Sequence, residues 1–316
     1  MAAHRERQRT PQRRPDTGCN STHDRRRCLR FSFVTTMNTT LHCGPYRLSL
    51  DRPLVMGIIN ATPDSFSGDG IAFDVARAVA QAEKFIADGA DVLDIGGEST
   101  RPGSDPVPAE EEIRRVVPVI EALSGLGVPL SIDTWKPEVM RAALAAGATL
   151  VNDINGLRAP GAVEAVAATD AGVCIMHMQG TPQTMQNDPR YADVCAEVTD
   201  FLLQQARAAE DAGIARERIM LDPGFGFGKT SEHNLTLLKG LRALADYGYP
   251  LLVGLSRKSV LGRLTGRPVT DRVAASVAAA LASVARGAHM VRVHDVAATR
   301  DAIAVWQVAG IFEHGR

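Results

Sequence analysis

Between residues 54 and 293 the chain repeats one pattern eight times: a short apolar stretch that ends in a polar or charged residue. The stretches end at Asn60, at the Glu98-Ser99-Thr100-Arg101 run, at Asp133, at Asn152-Asp153, at His177, at Asp222, at Ser256-Arg257-Lys258 and at Arg292-Val293-His294. Near-continuous apolar runs mark parallel strands covered on both faces. The pattern predicts strands near 54–60, 91–96, 129–133, 149–153, 173–177, 218–222, 250–256 and 289–293. Seven helical segments separate them, near 73–88, 109–124, 137–146, 160–169, 191–212, 232–246 and 270–286, and an eighth follows near 296–309. In the first, Val75, Val79, Ala82 and Ile86 share one face, with Glu83 and Lys84 outside it. Strict alternation over about 250 residues implies an α/β fold of the (β/α)8, or TIM-barrel, class. Such a barrel builds its active site from polar residues at the C-terminal ends of its strands, so the pattern alone predicts an enzyme.

Five helices are expected to stop at a glycine-containing turn: Asp88-Gly89-Ala90, Ala146-Gly147-Ala148, Ala171-Gly172-Val173, Ala212-Gly213-Ile214 and Arg286-Gly287-Ala288. Glycine just past a helix takes the left-handed conformation that other residues resist. A lead-in hairpin is expected over about 45–55, and no linker composition interrupts the alternation after residue 45. Residues 38–316 are therefore expected to form one barrel domain. The longest irregular stretches, 61–71, 98–108 and 178–190, all follow strands. Long loops on that face act as lids more often than as spacers.

Composition changes this picture in one place. The 316 residues are 45% hydrophobic and 22% charged, as expected of a soluble enzyme with a substantial core. The overall charge of −1 argues against nucleic acid as the main partner, but residues 1–30 hold nine arginines against three acids. That head carries +6, which leaves −7 on the remainder. It has too few apolar residues to bury a core and no apolar stretch of a secretory signal. Residues 1–37 are expected to be a disordered or mis-assigned extension, with Met37 an alternative start. No run reaches the roughly 18 apolar residues of a membrane span. The five cysteines, at 19, 28, 43, 174 and 195, show no metal-ligand spacing, which favours a reducing, cytoplasmic setting.

The run Met56-Gly57-Ile58-Ile59-Asn60-Ala61-Thr62-Pro63-Asp64-Ser65-Phe66-Ser67 resembles the opening signature of the dihydropteroate synthase family. Further segments agree in order: Asp94-Ile95-Gly96-Gly97 through Gly103, Ser131-Ile132-Asp133-Thr134, Val151-Asn152-Asp153-Ile154, Met176-His177-Met178-Gln179-Gly180, Asp222 through Lys229, Ser256-Arg257-Lys258-Ser259 and Arg292-Val293-His294-Asp295. One departure is Ser67-Gly68-Asp69-Gly70, where the family usually has Ser-Asp-Gly-Gly. The resemblance spans roughly 40–316. It implies condensation of 6-hydroxymethyl-7,8-dihydropterin pyrophosphate with para-aminobenzoate, releasing pyrophosphate and 7,8-dihydropteroate.

A pterin is flat and edged with N–H donors, which suits strand-end acceptors such as Asp133, Asn152 and Asp222. Each would cost several kcal/mol if buried without a partner. Asp153 reads instead as a cap, and Thr230-Ser231 as a helix N-terminus. The leaving group is an anion, and barrels often bind phosphate after strands 7 and 8, here beside Lys258, Arg292 and His294. The resemblance gathers Arg101, Arg292, His294 and Asn60 around the pyrophosphate, with Mg²⁺ arriving through that group and Asn60 as its protein ligand. It places Lys258 between pterin and aminobenzoate, Gly226 near the pterin and Phe227 beside both. Thr100, Pro102, Phe66, Met176 and Ser259 complete the implied substrate site. Pyrophosphate would leave first, with Asp133 available to stabilise the resulting ring cation. His177 reads as a packing or hydrogen-bonding residue.

Three rivals stay open on sequence alone: an inactive pterin-binding paralogue, a methyltetrahydrofolate-binding methyltransferase and nucleic-acid binding through the Arg-rich head. The first two are disfavoured by the retained Arg101, Lys258, Arg292 and His294, and the third would be optional if residues 1–36 were dispensable for activity. The resemblance also implies a homodimer. Helix 270–286, apolar on more than one face through Val273, Ala274, Val277, Ala278 and Leu281, is the candidate surface.

Overall fold

The computed structural model describes residues 39–61, 75–100 and 103–310. The expectations for residues 1–37, for Phe66 and for Arg101 and Pro102 lie outside them. Eight parallel strands form the barrel: β3 (Leu54–Asn60), β4 (Val92–Gly96), β5 (Leu130–Asp133), β6 (Leu150–Asp153), β7 (Gly172–Met176), β8 (Ile219–Asp222), β9 (Leu252–Val253) and β10 (Met290–Val293). Their order is β8-β7-β6-β5-β4-β3-β10-β9, and a bridge between Leu221 and Leu251 joins the two ends. Helices α1 (Val75–Ala87), α2 (Ala109–Leu123), α3 (Pro137–Ala146), α4 (Ala162–Ala167), α5 (Val194–Asp211), α6 (Ser231–Ala245), α7 (Ser259–Thr265), α8 (Val273–Val284) and α9 (Val296–Val308) complete the alternation. The predicted barrel is the observed one.

Alternation along each strand sorts the core into an inside and an outside. Val55, Ile59, Leu93, Ile95, Ile132, Val151, Val173, Ile175, Leu221 and Val291 join the helix-facing cluster. The other parity points inward. Its lower members Met56, Val92, Leu150, Cys174, Met220, Leu252 and Met290 are apolar and form a separate cluster. Its upper members include Asp94, Ser131, Asp133, Asn152, Asp222 and Arg292. Crossing from apolar to polar along the same inward parity is what turns a packed tube into a mouth.

The hairpin lies earlier than expected, as β1 (Thr40–Cys43) and β2 (Tyr46–Ser49) rather than over 45–55. Its Leu41 and Cys43, fully buried, join Leu54, Met56 and the lower inward cluster, so the hairpin plugs the N-terminal end of the barrel. The expected left-handed glycines appear at Gly89, Gly147, Gly213 and Gly287, but Gly172 is not one of them. There a Cβ would stand 2.8 Å from the His42 carbonyl oxygen, so the requirement is close approach to the hairpin. Two more differences concern the strand 7 region. β9 is only two residues long, and α7, absent from the predicted elements, starts directly after Lys258.

Candidate active site

The polar mouth is organised around Arg292, carried up by β10. Its Nε donates to Asp94 Oδ2 at 2.6 Å, and one terminal nitrogen donates to Asp133 Oδ2 at 2.7 Å. Asn152 Nδ2 donates to the same Asp94 oxygen at 3.2 Å. Asp94 is fully buried, and Asp133, Asn152 and Asp222 are nearly so. Four buried oxygens nevertheless have no partner within the protein: Asp94 Oδ1, Asp133 Oδ1, Asn152 Oδ1 and Ser131 Oγ. Buried acceptors without donors are costly, so this group is built for a ligand edged with N–H groups.

Electrostatics follow from this burial. Burial pushes the Asp133 carboxyl up to about 7, against the pull of Arg292 and with the help of Asp94. Asp222 also rises through burial, opposed by Lys258 and by the backbone N–H of Gly224, which donates to its Oδ1 at 2.7 Å. The guanidinium of Arg292 is disfavoured by burial, but Asp94 and Asp133 outweigh that and hold it charged. Burial lowers the Lys258 ammonium to about 8, with Asp222 and Asp133 opposing and Arg292 assisting.

Lys258 follows β9 and reaches across the mouth to the carbonyl of Phe225, with its Nζ 4.4 Å from the centre of the Phe227 ring. Arg257, held at φ 57°, sets the turn that aims it. The Arg257 side chain forks onto Asp295, and its backbone N–H donates to Ser276 Oγ on α8 at 2.9 Å. Gly226 sits between a 2.7 Å bond from its N–H to Asn234 and a 2.7 Å bond from Gln186 to its carbonyl. Met176, at the end of β7, packs with Ile154, Met178 and Met185, and Phe227 and Trp135 lie against them. His294 pairs through Nδ1 with Ser256 Oγ at 3.0 Å.

The structure thus brings together Asp133, Asn152, Asp222, Met176, Gly226, Phe227, Lys258, Arg292 and His294 at one end of the barrel. Asn60 ends β3 beside Gly96 and is half-buried. Thr100 is half-buried at the start of the loop after β4. Ser259 is exposed and accepts from Arg263 at 3.3 Å on α7. Among the described residues no three His, Cys, Asp or Glu side chains are grouped to hold a metal. Asp153 accepts from the N–H groups of Asn155 and Leu157, capping a turn rather than a helix. Thr230 is the expected helix N-cap, in a reciprocal pair with His233.

Sequence reasoning passed over Asp94, the second carboxylate on Arg292. The signal was present, since an aspartate inside an apolar strand at the same parity as Gly96 must face the barrel interior. It also passed over Glu98 at the root of the loop after β4. Glu98 accepts from Val107 N at 2.8 Å, Trp135 Nε1 at 3.1 Å and Lys136 Nζ at 2.8 Å. Lys136 also pairs with the fully buried Glu112 of α2.

Comparison with known proteins agrees with this geometry. Residues 56–294 match the model of the pterin binding enzyme family. The dihydropteroate synthase of Neisseria meningitidis serogroup B is 53% identical over 277 residues, covering 85% of this chain and 96% of its own. The crystal structure of Burkholderia cenocepacia dihydropteroate synthase complexed with 7,8-dihydropteroate superposes with a TM-score of 0.80 at 54% identity, over 89% of this chain and 100% of that one. The Xanthomonas albilineans dihydropteroate synthase with 4-aminobenzoic acid gives a TM-score of 0.82 at 54% identity, over 86% and 98%. A barrel mouth of orphaned acceptors around a charged arginine, on a chain half-identical to these enzymes along nearly their whole length, places it in the pterin-binding enzyme family among the dihydropteroate synthases.

Proposed function

We infer that the chain condenses 6-hydroxymethyl-7,8-dihydropterin pyrophosphate with para-aminobenzoate to give 7,8-dihydropteroate and pyrophosphate. The observation that carries this reading is the pairing of four unpartnered buried oxygens with Arg292 and Lys258 in one mouth. The oxygens of Asp94, Asp133 and Asn152 suit the donor edge of a pterin. A guanidinium carries five donors, and the two carboxylates engage only its Nε and one terminal nitrogen. The other donors of Arg292 remain for the pyrophosphate, with His294 two residues further along, and the family resemblance adds Arg101 to this group.

Catalysis on this reading is electrostatic. Departure of pyrophosphate leaves the pterin methylene electron-poor; the aniline nitrogen of aminobenzoate then attacks that carbon and gives up one N–H proton to the departed pyrophosphate or to water. Arg292 is preset by its carboxylates, so it meets the leaving charge without reorganising. Asp133, whose carboxyl burial raises to about 7, supplies negative charge to the ring cation in its ionised form. Lys258 and Phe227 form the wall between pterin and aminobenzoate. Exclusion of water from the mouth matters on this reading, because water would otherwise hydrolyse the cation.

Mg²⁺ fits as an ion brought by the pyrophosphate, and Asn60, half-buried at the end of β3, is the residue that would hold it. When bound it would neutralise part of the leaving charge. A homodimer through α8 is supported by the helix itself. Its buried face is Ser276, Ala279, Ala280, Ser283 and Val284, which turns Val273, Ala274 and Ala278 outward, with Leu264 and Val269 exposed nearby. Among the described residues no helix is long and apolar enough to cross a membrane, and Cys43, Cys174 and Cys195 are free thiols. Both fit a cytoplasmic enzyme of one catalytic domain over 38–316.

The test is pyrophosphate release by residues 37–316 with Mg²⁺ and pterin pyrophosphate, with and without aminobenzoate. Aminobenzoate-dependent dihydropteroate formation is expected. Pterin binding without turnover would replace this reading by that of an inactive paralogue.

A further inference from the structure

Lys229 is 1% exposed, yet it lies outside the mouth and behind it. Its Nζ donates to the Gly224 carbonyl at 2.9 Å and the Phe227 carbonyl at 3.0 Å, and stands 2.9 Å from His177 Nδ1. One ammonium therefore ties the residue after β7 to the run after β8. A buried cation persists only where such bonds replace water, and burial lowers this ammonium to about 7, with Asp222 opposing. His177 is suited to accept, because burial and the Lys229 charge push its imidazole down to about 3. A neutral ring whose Nδ1 accepts carries its proton on Nε2. Phe201 holds that ring edge-on at 5.0 Å.

The run between β8 and α6 is pressed onto this support. Gly224 has φ 67°, and a Cβ there would collide with the His177 carbonyl oxygen. Asn234 grips the run from α6, accepting from Gly226 N and donating to the Lys229 and Thr230 carbonyls. On its opposite side the run presents the Phe225 carbonyl and the Phe227 ring to Lys258.

We propose that Lys229 and His177 form a positioning pair for the aminobenzoate side of the site, fixing the 224–228 run from behind so that Phe227 and the Phe225 carbonyl hold Lys258 in front. Neither residue touches substrate. The inference rests on the assignment of Phe227 and Lys258 to the aminobenzoate slot. Without the ammonium, the Phe227 carbonyl and His177 Nδ1 lose this donor and the Gly224 carbonyl keeps only the Phe227 N–H, so the run relaxes toward other partners. The β7–β8 ladder holds the Asp222 backbone opposite Met176, and the run reaches its carboxylate only through the Gly224 N–H and the charge of Lys229. The pterin edge, which Asp133 and Asn152 also form, therefore shifts less than the slot wall.

Steady-state kinetics of the full chain with both substrates varied test this, using Lys229→Met, His177→Leu, His177→Asn and Phe227→Ala. Lys229→Met and His177→Leu are expected to raise the aminobenzoate KM about tenfold, and that of pterin pyrophosphate less than about threefold. Asparagine at 177 places an acceptor oxygen close to the position of Nδ1, so His177→Asn should recover most of the loss. Equal rises in the two KM values, a fall in kcat alone, or identical behaviour of the Leu and Asn variants would overturn the pairing. If Lys229→Met does not fold, the two variants at 177 still decide it. An unchanged aminobenzoate KM in Phe227→Ala would remove the slot assignment and the inference with it. A rise there, with no change at 229 or 177, would remove the inference alone.

Discussion

Replacing Asp94 by asparagine preserves the shape of the barrel interior and removes one charge. Asp94 is fully buried, and its Oδ2 accepts from Arg292 at 2.6 Å and from Asn152 at 3.2 Å. Loss of a charge-assisted bond of this kind costs about 1.5–3 kcal/mol. Arg292 keeps Asp133 at 2.7 Å, and one buried carboxylate fewer needs compensation, so the net loss of folding stability is smaller, about 1–2 kcal/mol. The effect on ligand binding is larger, because Asp94 Oδ1 has no partner in the protein and turns from a charged to a neutral acceptor. Pterin pyrophosphate affinity should fall roughly ten- to hundredfold, the range given by a charged hydrogen bond. A second signature is directional. Asp94 is one of the charges that raise Asp133, so its removal lowers Asp133 from about 7. The pH at which Asp133 ionises, read in the pH dependence of pterin affinity, moves to lower values. Calorimetric titration of pterin pyrophosphate across about pH 5.5–8.5, beside thermal melts, measures both effects. Affinity within twofold of the parent and an unmoved pH profile would refute the role given to this carboxylate.

Three other outcomes follow from the same geometry. Asp133 is raised from 3.8 to about 7 on folding, so its contribution to stability is fully present below about pH 4 and lost as pH rises through about 7. Asp133→Asn should therefore gain melting temperature relative to the parent over that window, and a difference that is flat or narrows with pH would contradict it. Lys136→Met leaves Glu112 and Glu98 without their shared cation, and denaturant unfolding should show about 3–5 kcal/mol lost, against less than about 1 kcal/mol if the pair behaved as a surface one. Sulfamethoxazole, which carries an aniline like that of aminobenzoate, should compete with aminobenzoate; inhibition unaffected by aminobenzoate concentration would refute the slot.

The barrel and most of its mouth were legible because one signal repeats eight times and chance does not. Parity then does the rest: once Asp133 and Asp222 are inward, Asn152 and Arg292 are placed with them by strand pairing. Asp94 was hidden by the same logic that reveals strands, since a single acid within Val92–Gly96 reads as an interruption of an apolar run. Lys229 was equally hidden, because nothing in the run Gly226-Phe227-Gly228-Lys229 distinguishes a lysine at a helix start from one sealed in the interior. The helix Ser259–Thr265 spans only seven residues, too few to establish a periodicity. Gly172 opens β7 instead of closing a turn, and the close approach that needs a glycine there comes from His42, far away in sequence.

The hairpin that plugs the barrel has a consequence for how the chain is made. Thr40–Cys43 leaves the ribosome before any barrel strand, yet Gly44 donates to the Asp170 carbonyl and the backbones at His42 and Gly172 are in close approach. Its neighbours at Asp170 and Gly172 are thus synthesised about 130 residues later, and those at Met220, Leu252 and Met290 later still, although β2, Leu54 and Met56 follow at once. Until then Leu41 and Cys43 lack most of their final cover, which makes this edge of the nascent protein a natural client for a chaperone that binds short hydrophobic segments. Seating of the plug reports that the floor of the barrel is in place. A fusion partner attached just ahead of Thr40 would delay that step without touching the catalytic end.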